Sequence, residues 1–304
     1  MNIFKILLAF AAAAAAVAFS GCASKEFKVD PRITETTCSS SACVKMGYAY
    51  YHGTGVEKNL AHAAQFYERG CTGRNSDACY ALGAMYYNGD GVAQDYERAR
   101  EFYTKACENG DAVGCYNLGV MYYGGEGIVE DHAQAVGYYE KACKAKLSAA
   151  CTNLAVMLQN GYGTAQNYDE AIKLYQDSCS KGDAKACHNI ATMYDEGEGV
   201  FQDFKVAVDF YKRGCGGGFA ASCLKMGTIY ANGYDVKQDY AAAAKYYTRG
   251  CNGGDGESCY LLGLAYKNGL GVGQNSDLVT GLFKKACDNG SEDGCAQLRK
   301  TRRR

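Results

Sequence analysis

Cysteine spacing constrains this chain more than any other feature. Cys43, Cys79, Cys115, Cys151, Cys187, Cys223, Cys259 and Cys295 follow one another at a constant step of 36 residues, and Cys71, Cys107, Cys143, Cys179, Cys215, Cys251 and Cys287 form a second series with the same step. No insertion breaks either series. A fixed period of this length marks a solenoid, in which each repeat is one supersecondary unit that buries its apolar face only against its neighbours. The reading is seven tandem repeats over residues 43–294, followed by a C-terminal cap and basic tail at 295–304.

Each repeat reads as two helices. With Cys79 as position one, apolar or small residues recur at Leu82, Gly83 and Tyr86 and again at Ala99, Phe102 and Tyr103, which is helical spacing in two separate stretches. Paired glycines break the chain between them: Gly53/Gly55, Gly89/Gly91, Gly125/Gly127, Gly161/Gly163, Gly197/Gly199 and Gly269/Gly271. In the sixth repeat Asp235 replaces the second glycine, so that loop is expected to be built differently. After each break the second helix opens on a good N-cap, Asp95, Asp131, Asp203 and Asp239 or Asn59, Asn167 and Asn275. The expected fold is all-α: an α/α superhelical solenoid of seven helix-turn-helix repeats.

The cysteines then fall at helix ends. A continuous helix would separate Cys71 and Cys79 by about 12 Å along its axis, too far for a disulfide, so the helix must break between them. Gly73-Arg74-Asn75-Ser76-Asp77 and the matching stretches in other repeats read as turn. Pairing start to end within a repeat, Cys79 with Cys107, is geometrically possible but strands Cys38 and Cys295. Pairing across each repeat boundary uses all sixteen cysteines other than Cys22: 38 with 43, 71 with 79, 107 with 115, 143 with 151, 179 with 187, 215 with 223, 251 with 259 and 287 with 295. Zinc is the rival use, but the ligand spacing is too wide, and the four histidines, His52, His62, His132 and His188, share no repeat position.

The leader agrees with an oxidising compartment. Residues 1–21 read as a signal peptide, with Lys5 preceding the apolar run Ile6 to Phe19, which is short for a bilayer span. Phe19-Ser20-Gly21-Cys22 resembles a bacterial lipobox with phenylalanine where leucine is usual. Two outcomes stay open, lipidation of Cys22 or cleavage near Ala18-Phe19-Ser20. Residues 22–42 form an N-terminal linker. The expected location is exported: periplasm or outer membrane as a lipoprotein, or secreted. With 32 basic against 33 acidic residues the chain has no nucleic-acid character, and the only membrane contact foreseen is the lipid anchor. The glycine loops lack a following Gly-Lys-Ser/Thr, so no phosphate cradle, cofactor or metal is expected. The tail Arg299-Lys300-Thr301-Arg302-Arg303-Arg304 is read as solvated.

The stretches "ACYALGAMYYNGDGVAQDYERAREFYTKACENGD" and "GCYNLGVMYYGGEGIVEDHAQAVGYYEKACKAK" resemble the Sel-one-like repeat, a relative of the tetratricopeptide repeat. With its cysteine pairs the chain is similar to the Helicobacter cysteine-rich proteins over residues 43–298. The resemblance implies a right-handed superhelix with a concave groove lined mainly by the first helix of each repeat. It also implies secretion and, for some members, penicillin binding or weak β-lactam hydrolysis. On that view Asn117, Asn153 and Asn189, third in the first helix of three successive repeats, would hold a ligand peptide's backbone, with Met121, Met157 and Met193 as an adaptable apolar floor. The plainer alternative makes the asparagines local turn partners and the methionines core filler. Protein or peptide ligands are expected, with β-lactams or cell-wall fragments as the alternative class.

Residue patterns give the enzymatic alternative little help. Ser178-Cys179-Ser180-Lys181 and Ser222-Cys223-Leu224-Lys225 match the Ser-x-x-Lys pattern of serine β-lactamases, yet neither Ser-Asp-Asn nor Lys-Thr-Gly occurs anywhere in the chain. No residue is assigned a catalytic role.

Overall fold

The structure, a computed structural model, describes Thr34 and residues 37–301. The expected signal peptide, Cys22 and most of the linker lie outside the described residues, as do residues 302–304. Among the described residues the chain forms fifteen α-helices and no strand. These are α1 (Ser40–His52), α2 (Leu60–Thr72), α3 (Ser76–Asn88), α4 (Tyr96–Glu108), α5 (Ala112–Gly124), α6 (His132–Lys144), α7 (Ser148–Asn160) and α8 (Tyr168–Ser180). The series continues with α9 (Ala184–Glu196), α10 (Phe204–Gly216), α11 (Ala220–Asn232), α12 (Tyr240–Asn252), α13 (Gly256–Asn268), α14 (Ser276–Asp288) and α15 (Glu292–Thr301). Odd-numbered helices are the first of each repeat and even-numbered ones the second. Two compact units are distinguished, residues up to Gln94 and residues from Asp95 onward.

The caps explain where each helix starts and stops. Asp95, Asp131, Asp203 and Asp239 each accept a bond from a backbone N–H three residues on, as do Asn59, Asn167 and Asn275, at 2.9 to 3.2 Å. Such a cap is worth about 1 kcal/mol. First helices end on a left-handed glycine, as at Gly125 with φ 68°, whose N–H returns to the Met121 carbonyl. Each first helix begins three residues before the bridging cysteine it carries, so the last, α15, opens at Glu292 and runs through Arg299 and Lys300.

Between helices of one repeat the core is built from one aromatic ring laid on a small residue. Tyr139, Tyr175, Tyr211 and Phe283 are at most 1% exposed. A Cβ on Gly119 would stand 2.6 Å from the Tyr139 ring, and one on Gly263 2.7 Å from that of Phe283. Ala155 and Ala191 take the same place opposite Tyr175 and Tyr211. The rings therefore press on the helix backbone itself, an approach that large residues would prevent.

At every repeat boundary two cysteines meet. The eight pairs are Cys38–Cys43, Cys71–Cys79, Cys107–Cys115, Cys143–Cys151, Cys179–Cys187, Cys215–Cys223, Cys251–Cys259 and Cys287–Cys295, with Cα atoms 4.4 to 5.3 Å apart. In seven of them the first cysteine lies in the last turn of a second helix and the other in the first turn of the next repeat. Cys38 instead precedes α1, so its loop is the shorter one, with a separation of 5 rather than 8.

Candidate functional site

The first helices α7, α9 and α11 are joined by side-chain bonds that recur from repeat to repeat. Thr152 of α7 donates to the Asp183 carboxylate at 2.8 Å, while Asp183 also caps α9 through the N–H groups of Lys185 and Ala186. The Lys185 ammonium reaches back to Asn153 Oδ1 at 3.4 Å. Burial holds Lys185 below the usual lysine range, and the nearby Asp183 carboxylate only partly offsets it. Gln159 donates to Glu198 at 2.6 Å and accepts the Tyr175 hydroxyl at 2.9 Å. One repeat on, Tyr211 donates to Asp195 at 3.0 Å, and Lys225 of α11 pairs with the same carboxylate at 3.2 Å.

These contacts share one design. The buried tyrosine of a second helix aims its hydroxyl between position nine of its own repeat and position three of the next. Position three is where the asparagines lie, and Lys225 stands there in the sixth repeat. Asn189 faces the Tyr175 hydroxyl and Asn153 those of Tyr116 and Tyr139. Burial pushes all three phenols up, with the asparagine amides opposing it. Asn153 is 7% exposed and its Nδ2 makes no hydrogen bond of good geometry, whereas Asn117 and Asn189 are half-buried. Spacing alone did reveal the asparagine series. The tyrosine hydroxyls, Thr152, Gln159, Lys185 and Asp195 were missed, because their residue types change from repeat to repeat.

The methionine floor is corrected. Met121 and Met157 are 1% exposed and Met193 0%, so all three belong to the hydrophobic core and none presents a surface to a ligand. They turn inward toward the second helices, where Met157 and Met193 pack in a cluster with Tyr139, Tyr175 and Ile190.

Both serines of the Ser-x-x-Lys matches are 0% exposed. Ser178 donates to the Ser148 carbonyl at 3.4 Å, and Ser222 lies 3.0 Å from His188 Nδ1. Neither bonds to its lysine, since Lys181 pairs with Asp177 and Lys225 with Asp195. Among the described residues no three of His, Cys, Asp or Glu gather as a metal-ligand set, and no helix is long and apolar enough to cross a membrane. The disulfides suit an oxidising, exported environment.

Comparison with known proteins places this architecture. A search of curated proteins finds no match. A Sel1 repeat protein from Oxalobacter formigenes is 25% identical, with 86% of this chain and 76% of that one covered and a TM-score of 0.77. A protective antigen of uropathogenic Escherichia coli displaying an SLR fold is 26% identical with a TM-score of 0.70; 85% of this chain is covered, and the chain spans 56% of the antigen's length. Helicobacter pylori cysteine rich protein B is 28% identical over 44% of this chain and 96% of its own, with a TM-score of 0.37. The Sel1 repeat model matches seven times without a gap, at residues 40–75, 76–111, 112–147, 148–183, 184–219, 220–255 and 256–291, and the chain belongs to the Sel1 repeat family.

Proposed function

We propose that the chain is an exported scaffold that binds a protein or peptide along the face formed by α5, α7 and α9, with Asn117, Asn153 and Asn189 as the backbone-reading positions. The observation that carries this is the pair Asn153 and Lys185. The Asn153 amide nitrogen makes no hydrogen bond, and the half-buried Lys185 ammonium donates a single long bond to Asn153 Oδ1, at 3.4 Å. Buried polar groups with incomplete hydrogen bonding are costly, by roughly 1–3 kcal/mol each, and an extended peptide supplies the missing partners. A peptide carbonyl would draw the Lys185 ammonium away and leave the Asn153 amide free to pair with the peptide's own N–H and C=O groups. Anchorage at Cys22 is part of the same proposal.

A peptide array probed with the oxidised protein tests it. Bound sequences are expected to lose about tenfold or more in affinity with Asn153→Ala and with Lys185→Ala, and less with Asn117→Ala. Equal binding by the wild type and both variants overturns the assignment of the face. Nitrocefin turnover abolished by Ser222→Ala overturns the scaffold reading itself.

A further inference from the structure

The sixth repeat departs from its neighbours at one loop position, and a cleft lies beside it. In the regular repeats the second loop glycine lies directly on the start of the preceding second helix. A Cβ on Gly127 would stand 2.1 Å from Tyr96, one on Gly163 2.2 Å from His132, one on Gly199 2.4 Å from Tyr168 and one on Gly271 2.1 Å from Tyr240. No side chain larger than glycine's fits that approach. In the sixth repeat the residue is Asp235, left-handed at φ 51°, and the residue it would touch is Phe204. That close approach is barred to Asp235, and a cleft of about 540 Å³ lies beside the loop, between α10 and α11.

The lining has a definite chemistry. Phe204, Val208, Ile229 and Tyr234 form its apolar walls, with Phe204 42% and Tyr234 63% exposed. The loop residue before Asp235 is acidic in the second, third and fifth repeats, at Asp90, Glu126 and Glu198, where Glu198 holds Gln159. In the sixth repeat it is Tyr234, as it is Tyr162 in the fourth, and an acid stands one place on, at Asp235. At the base Lys225 is already paired with Asp195. Asp235 is exposed at the mouth and takes no ion pair among the described residues, so the cleft carries one uncompensated negative charge beside a large apolar surface.

We infer that this cleft binds a polypeptide segment in which a large apolar side chain is followed by a basic one, the apolar group entering between Phe204 and Tyr234 and the cation meeting Asp235. The inference shares with the proposed function only that the ligand is a polypeptide. Its site lies elsewhere, and its variants leave Asn153 and Lys185 untouched.

The test is a titration of the ¹⁵N-labelled, oxidised full chain with N-acetyl-Phe-Arg-amide, followed by amide shifts, with N-acetyl-Phe-Glu-amide and N-acetyl-Ala-Arg-amide as controls. Saturable shifts are expected at Phe204, Val208, Ile229, Tyr234 and Asp235, with both controls about tenfold weaker or more. Asp235→Gly restores the residue of the other repeats, lets the loop close on Phe204 and abolishes binding. Asp235→Asn keeps the cleft open, so the apolar contribution survives and the preference for arginine over glutamate disappears. Absence of saturable shifts, shifts on α5, α7 and α9 instead, or undiminished binding by Asp235→Gly each overturns the inference. Because the Asn153 and Lys185 variants retain this site, its failure is separable from failure of the α5–α9 face.

Discussion

At the scale of single residues, the repeat boundary is governed by the two residues that precede the bridging cysteines. Gly214 precedes Cys215 and Ser222 precedes Cys223, and a Cβ on Gly214 would lie 2.4 Å from Ser222 Oγ and 3.1 Å from the Ala184 carbonyl. The corresponding partners are Gly250 with Ser258, Ala106 with Gly114, and Ala142 with Ala150, so a serine on one side faces a glycine on the other and none of these pairs is larger than two alanines. Helix propensity alone makes Gly214→Ala stabilising by about 1 kcal/mol. Overpacking opposes this with roughly 1–3 kcal/mol, and with the contact at 2.4 Å overpacking wins. Urea unfolding of Gly214→Ala is expected to show net destabilisation. The double variant Gly214→Ala, Ser222→Ala, which recreates the Ala142/Ala150 pair, should be less destabilised than the two single effects summed, by about 0.5 kcal/mol or more. Strict additivity would mean that the two residues do not share this space.

At the scale of helices, elements were legible in the sequence wherever the same physical demand recurs in every repeat. The left-handed stop at Gly125 and the N-cap at Asp131 could be read because a helix end needs them whatever it packs against. The methionines were misread because period alone cannot say which side of a helix faces its partner. Tyr139 and Tyr175, whose rings occupy that inner side, decide it. Polar contacts between α9 and its neighbours were illegible for another reason, since they depend on residues that differ between repeats. His188 is the clearest case. It packs between the Tyr211 and Phe219 rings, bonds to Ser222, and is pushed down to about 4, first by burial and then by Lys225. Its folded pKa thus lies below the unfolded value near 6.5, and the unfolded chain binds the proton first. Stability from this group is present above pH 6.5 and is lost as pH falls toward 4, by on the order of 2–3 kcal/mol. Urea midpoints at pH 7 and pH 4.5 should converge more for His188→Gln, which keeps a polar partner for Ser222, than for the wild type. Equal pH sensitivity of the two proteins would show that His188 is not the titrating group.

At the scale of the whole molecule, stability in a repeat array is a sum over each repeat and its junctions with the next, so a lost crosslink acts where it was lost. Each bridge such as Cys143–Cys151, with a separation of 8, closes a short loop and contributes roughly 2.5 kcal/mol in the chain-entropy model. The core on either side is made largely of alanine, glycine and single aromatic rings, so such a contribution is large for one junction. Replacing Cys143 and Cys151 by serine should therefore speed amide hydrogen exchange in α6 and α7 and less so in α5 and α8, while α12 and α13 keep wild-type protection. Acceleration spread evenly from α4 to α15 would mean that this unit unfolds as one cooperative body, and that the bridges stiffen it collectively rather than junction by junction. The local outcome has a functional corollary, because α7 carries Asn153. Serine replacement at this junction should weaken peptide binding on the α5–α9 face and leave the cleft at Asp235, four helices further along, unaffected.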